Sequence, residues 1–233
     1  MVLKIIPESV GFKDYSLITG FHGIGATGYW TVKYLIQKLK AERVAFIDSS
    51  IIAPITSTEE GRITTPYELF RKDNLILFKV EAPPYKPEDM VFFKEFADFV
   101  ISAGFKEAAL IGGLDSRLRR DGSTFRLVKT SAYKAEKDLV NAPILEEGQI
   151  IVGPVSVLLN QFESYSFPAY SLLSYASAER VDPRAAAAAI TILSKHYGFE
   201  IDLQPLLKGA EVLEAEIEKH EAHLRRQGEN MYT

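Results

Sequence analysis

Apolar residues fall along this chain in two rhythms. Short solid runs, "YSLITG" (15–20), "RVAFID" (43–48), "AALIGGL" (108–114) and "PAYSLLSY" (168–175), predict buried strands. Longer stretches carry apolar residues on one side only. Residues 27–40 set Trp30, Val32, Tyr34, Leu35, Ile36 and Leu39 among Lys33, Gln37 and Lys38, a helix with one wet face. A second amphipathic helix is expected over 88–105, ending near Gly104. In the third, "QIIVGPVSVLLNQF" (149–162), a strand runs through Gly153-Pro154 into a helix with proline in its first turn. "DPRAAAAAITILSKHYG" (182–198) is the strongest: Asp182 caps it, Pro183 opens it and Gly198 ends it.

Between these lie weaker patterns. After Asp48 no helical period appears. A loop is expected there, then an antiparallel hairpin, Arg62–Phe70 and Leu75–Val80, turning at Lys72-Asp73-Asn74. Residues 124–133 predict a short strand and 132–140 a short helix. Together these make an α/β domain: a mixed sheet sandwiched between helices over residues 1–204, followed by a C-terminal helical extension and flexible tail over 205–233.

"LITGFHGIGATGYW" (17–30) is the most pointed stretch. Gly23, Gly25 and Gly28 spell G-x-G-x-x-G between a strand and a helix, and Asp48 ends the next strand 20 residues after Gly28. That is the layout of a dinucleotide cradle with its ribose-binding acid, and it implies a nucleotide-binding (NAD-type) enzyme. Glycine also serves a tight turn that needs positive φ or close backbone approach. The hairpin after Asp48, where a cradle would continue with helix and parallel strand, favours the turn.

Other chemistry finds little support. No Lys-Ser/Thr follows the last glycine, so there is no P-loop, and no G-x-S-x-G elbow occurs. Cysteine is absent, which removes disulfides and thiolate metal sites. His22 at the turn mouth is a candidate anion ligand or a satisfied turn residue. Asp115, at a strand end, is a site carboxylate or a cap. His220 and His223 stand three apart on a charged helix, a spacing open to a metal but ordinary on a solvated face. No catalytic residue, cofactor or metal is assigned. A net charge of −4, 47% hydrophobic and 25% charged residues describe a soluble, cytoplasmic protein with neither nucleic acid nor membrane as partner. The basic cluster "SRLRRDGS" (116–123) reads as a solvated loop or an anion site.

The C-terminal stretch differs in kind. Leu206, Ala210, Leu213, Ile217, His220 and Leu224 form a narrow heptad seam among charged residues. It fits packing on its own domain and packing on a neighbouring subunit equally well. Beyond Gly228, Met231 and Tyr232 sit at the tip with Thr233 carrying the α-carboxylate. A terminal carboxylate with a bulky neighbour is a known recognition handle.

"GFHGIGATG", "YLIQKLKAERVAFIDSS" and "ALIGGL" resemble the archaeal branch of the proteasome assembly chaperone family, whose domain opens with a G-F-x-G-I-G-x-x-G turn. The chain departs from it at His22, where proline is expected, and at Ala26-Thr27, where Asn-Val is commoner. Met231-Tyr232-Thr233 is similar to the hydrophobic–tyrosine–any-residue tail of proteasome activators. The resemblance implies a non-enzymatic, ATP-independent activator or assembly chaperone. Its Met231, Tyr232 and Thr233 would dock between α-subunits of the proteasome core particle, and the chain would form a homo-oligomer, a tetramer favoured over a pentamer.

Overall fold

The computed structural model describes residues 3–51, 54–59, 61–82, 90–136 and 139–210. Among them the strands are β1 (Lys4–Ile6), β2 (Ser16–Gly20), β3 (Glu42–Asp48), β4 (Ser57–Glu59), β5 (Arg62–Thr64), β6 (Tyr67–Lys72), β7 (Leu75–Val80), β8 (Glu107–Asp115), β9 (Phe125–Lys129) and β10 (Ala169–Ala176). The helices are α1 (Thr27–Leu39), α2 (Met90–Ser102), α3 (Pro154–Ser164) and α4 (Pro183–Tyr197), and residues 204–210 are also helical. No helix among the described residues is long and apolar enough to cross a membrane.

Eight strands form one mixed sheet in the order β1-β3-β6-β7-β2-β8-β10-β9, and β4 and β5 make a separate ribbon. β7, β2, β8 and β10 run parallel; the strands outside them are antiparallel to their neighbours. The two-residue period of each strand deals its side chains to two cores. Leu17, Leu69, Ile76, Phe78 and Leu110 face α2 and α3, which add Phe92, Phe93, Phe96, Leu158 and Phe162. Ile18, Leu77, Ile111 and Leu172 face α1 and α4, which add Val32, Leu35, Ile190 and Leu193. The sheet is therefore covered on both faces, as the solid apolar runs predicted.

The helix ends follow their chemistry. The Asp182 carboxylate accepts from the backbone N–H groups of Arg184 and Ala185, Pro183 opens α4, and Gly198 closes it at φ 77°. The β6–β7 turn falls at Asp73, with φ 50°.

Three local expectations need correction, and one strand was not expected at all. Residues 149–152 form no strand, because the outer edge of β9 is already taken: Leu127 N–H donates to Pro143 and Leu127 C=O accepts from Leu145. Of the short helix expected over 132–140, residues 132–136 are turn and irregular backbone, and Leu139 lies in 3₁₀ rather than α geometry. Tyr133 bonds back to Thr130 and Leu139 to Glu136, three residues each, while Ser131 is held across the fold by Glu163. The first hairpin arm splits at Pro66, and its Arg62–Thr64 half pairs with β4. β1, too short for a periodic signal, pairs antiparallel with β3.

The glycines of the first turn divide by role. A Cβ on Gly28 would stand 2.3 Å from the Ile111 carbonyl oxygen and 2.5 Å from the Phe21 nitrogen. Gly25 takes φ 64°, and its Cβ would lie 2.6 Å from Ala176 Cβ. Gly23 has open space around it. α1 thus sits with its first turn against the backbone of β2 and β8, a distance only glycine permits.

One face carries charge into the core. Lys79, 2% exposed, and Glu68, fully buried, pair at 3.1 Å, and Lys79 also reaches Glu59 at 3.2 Å and Glu81 at 3.3 Å. Arg43 holds Glu68 at 2.9 Å, and the Thr65 N–H donates to the same carboxylate. Burial pushes the Lys79 ammonium down, but Glu68 and Glu81 outweigh it and hold its pKa above the ordinary value.

Two expectations follow for urea unfolding. Gly28→Ala loses about 3 kcal/mol or more, because the clash is with backbone, whereas Gly23→Ala stays within about 0.5 kcal/mol of the parent. Lys79→Met loses about 3–5 kcal/mol by leaving Glu68 buried without its ammonium partner, and adding Glu68→Leu recovers most of that loss.

Candidate functional site

The G-x-G-x-x-G turn can be assessed against what a dinucleotide needs. Gly25, the glycine that would have to admit a pyrophosphate, is closed off by Ala176, whose Cβ lies 2.6 Å from where a Cβ on Gly25 would stand. Gly28 makes the close helix–strand contact on the Ile111 carbonyl that a third glycine makes in either setting. Asp48 ends β3, which is parallel to β2 but separated from it by β6 and β7. Three strand spacings, about 14 Å, thus intervene where a ribose-binding acid requires adjacency. The apolar hairpin buries both its arms by inserting between the two strands. Gly23, Gly25 and Gly28 lie together in one turn, Asp48 lies elsewhere, and the four form no cradle.

His22 does not stand as an anion ligand. Its ring stacks on Tyr29 at 3.9 Å between centroids, and burial lowers its pKa against the opposing pull of Glu81. The imidazole is therefore held towards its neutral form. Tyr29 donates to Glu81 at 2.9 Å and accepts from Lys33 at 3.1 Å; burial, with the Glu81 bond, raises its pKa. This chain of groups leads to Lys79 and tethers α1 to β7. Burial pushes Glu59 up, but Lys79 and Lys33 prevail and keep its carboxyl below the usual range. The signal for this network was present in the sequence: Lys79 and Glu68 interrupt runs that are otherwise apolar.

Asp115 is a cap. It accepts from the Arg117 backbone N–H at 2.9 Å and grips the Arg117 guanidinium at 2.6–3.0 Å. The basic loop after it is largely self-satisfied: Arg119 donates to the Asp121 and Gly122 carbonyls, and Arg126, 3% exposed, is clamped between Asp121 and Glu146. No group of three or more His, Cys, Asp or Glu able to hold a metal occurs among the described residues.

Two clefts lie at the carboxyl ends of the parallel strands, where open α/β sheets present their binding surfaces. One, of about 530 Å³, is apolar and lies between the glycine turn, Gly112–Leu114 and the start of α3, with exposed Ile150 and Val152 at its wall. The other, of about 300 Å³, lies between the end of β10, the basic loop and the start of α4, and Ala210 lines it. Leu206 and Ala210, the first two residues of the heptad seam, are buried on their own domain, Leu206 within the α1–α4 core. Leu213, Ile217, His220, His223 and Leu224 lie outside the described residues, as do Met231, Tyr232 and Thr233.

Known proteins share this architecture. Pyrococcus furiosus PbaA, described as an archaeal homolog of proteasome-assembly chaperone, superposes with a TM-score of 0.73 at 22% identity, covering 97% of this chain and 99% of its own. Pyrococcus furiosus PbaB, described as an archaeal proteasome activator, gives 0.73 at 24% identity, covering 94% and 98%. In sequence, the uncharacterised protein MJ0106 of Methanocaldococcus jannaschii is 23% identical over 229 residues, 96% of this chain and 93% of its own. The PAC2 family pattern matches from residue 17 to residue 221, and the chain belongs to the PAC2 family.

Proposed function

We propose that this chain is a non-catalytic, cytoplasmic proteasome-binding protein, an ATP-independent activator or assembly chaperone. The observation that carries the reading is the coincidence of a PAC2 chain with the sequence Met231-Tyr232-Thr233 at its C-terminal tip. The likeness in fold to an archaeal proteasome activator and to an assembly-chaperone homologue supports it.

In this reading residues 1–204 are the body and 205–233 the docking arm. Thr233 presents its carboxylate to a cation in a pocket between α-subunits of the core particle, Tyr232 supplies a rigid contact surface, and Met231 fills an apolar groove. A single tripeptide buries too little to hold firmly. A homotetramer offers four arms, and after the first has docked the others bind at high effective concentration. The gate opens only to the extent that the arms bind the open ring better than the closed one.

Deleting residues 231–233 is expected to abolish stimulation of peptide hydrolysis by an archaeal core particle while leaving the protein's melting temperature unchanged. Equal stimulation with and without them would overturn the docking reading. Native mass spectrometry is expected to give four chains per particle, with a pentamer the competing stoichiometry. The nucleotide-enzyme alternative, through Gly23, Gly25, Gly28 and Asp48, predicts saturable quenching of Trp30 by nicotinamide or adenine nucleotides; none is expected.

A further inference from the structure

The smaller cleft at the start of α4 holds a feature that neither the fold nor the docking arm uses. Tyr175, the penultimate residue of β10, is 8% exposed, and its buried hydroxyl makes no hydrogen bond. A buried hydroxyl without a partner costs free energy that folding alone does not return. The tyrosine lines the cleft together with Arg119, Arg180, Arg184, Ser116 and Thr124. Behind the ring the Arg126 guanidinium stands 5.3 Å from its centroid. Burial raises the tyrosine's pKa, opposed by Arg126 and Arg119, so the group is a neutral donor at physiological pH.

The charges around the cleft are unequally spent. The Asp182 carboxylate is on the wall, but it is consumed by three backbone N–H groups, from Ser177, Arg184 and Ala185 at 3.0–3.2 Å. Asp115 is consumed by Arg117. Arg119 gives Nε and Nη2 to two carbonyls. Arg180 has no carboxylate or carbonyl partner among the described residues. Arg180, the remaining nitrogen of Arg119 and one orphan phenol therefore border a space at the small end of ligand clefts.

We propose that this cleft binds a phosphate group carried by a small molecule. Planar guanidinium forks match the paired oxygens of a phosphate, and a phenolic O–H supplies a further donor to the same anion. Because Asp182 already occupies the helix N–H groups, recognition falls to side chains. The site lies at the root of the C-terminal stretch, since Ala210 is part of its wall. It does not depend on the docking reading.

The test is calorimetric titration of the full chain with inorganic phosphate and with pyrophosphate, at ionic strength fixed with sodium chloride. Saturable binding is expected, tighter for pyrophosphate. Arg180→Gln should weaken it about tenfold, as loss of a charge-assisted bond does. Tyr175→Phe should weaken it about fivefold without lowering the melting temperature of the ligand-free protein, because the deleted hydroxyl makes no bond there. No saturation by about 10 mM, or Arg180→Gln and Tyr175→Phe binding like the parent, would overturn the proposal. The acidic residues after Ala210 provide the competing occupant. If the parent fails to bind while Glu211→Gln with Glu214→Gln binds, the cleft belongs to the chain's own segment and the proposal falls.

Discussion

The closeness of the α1 N-terminus to the sheet is the constraint on which the rest of this structure depends. Gly20, Gly28 and Gly113 remove side chains where the backbones of β2, α1 and β8 meet, and a Cβ on Gly113 would lie 2.1 Å from the Ile24 carbonyl oxygen. That contact fixes α1 across the centre of the parallel strands. It also reaches α4, because the Gly25 carbonyl accepts from the Asp182 N–H, and Asp182 then caps α4. One turn therefore sets both helices of one face. A motif whose spelling matches a phosphate cradle serves here to bring backbones together.

The two faces of the sheet are built by different physics. Against α2 and α3 the core is aromatic, with Tyr67 stacked on Phe92 at 4.2 Å and Phe78 at 4.1 Å from Phe96. Against α1 the core accepts a buried ammonium, because Lys79 finds three carboxylates and Glu68 also finds Arg43. Removing any one member strands the others in low dielectric, so the network makes the position of α1 over β6 and β7 specific. His22 and Tyr29 extend that network into the glycine turn.

The proposed function divides the molecule between a scaffold and the parts it presents. The PAC2 fold supplies a sheet sealed on both faces, and the functional reading is carried by the arm rather than by a catalytic constellation. The cleft at Tyr175 stands where the body hands over to that arm. A ligand held there would act on the region between α4 and the C-terminal stretch, where Ala210 shares a wall with Arg119, Arg180 and Arg184.

The sequence by itself determined the elements whose signals are local. Solid apolar runs marked β2, β3, β8 and β10, the hairpin pattern marked β7, one-sided periodicity marked α1, α2 and α4, and Asp182, Pro183 and Gly198 set the limits of α4, because strand burial, amphipathicity and capping each act within a few residues. The glycine spacing and the tail residues also carried the family resemblance. Tertiary structure alone decided strand order, and with it the separation of Asp48 from the glycine turn, since insertion of the β6–β7 hairpin is a pairing choice made across the sheet. It decided that 149–152 is not a strand, because an edge can be occupied only once. It decided that Lys79 is paired and that Tyr175 is not, because the partners of a buried polar group come from distant segments brought together by folding.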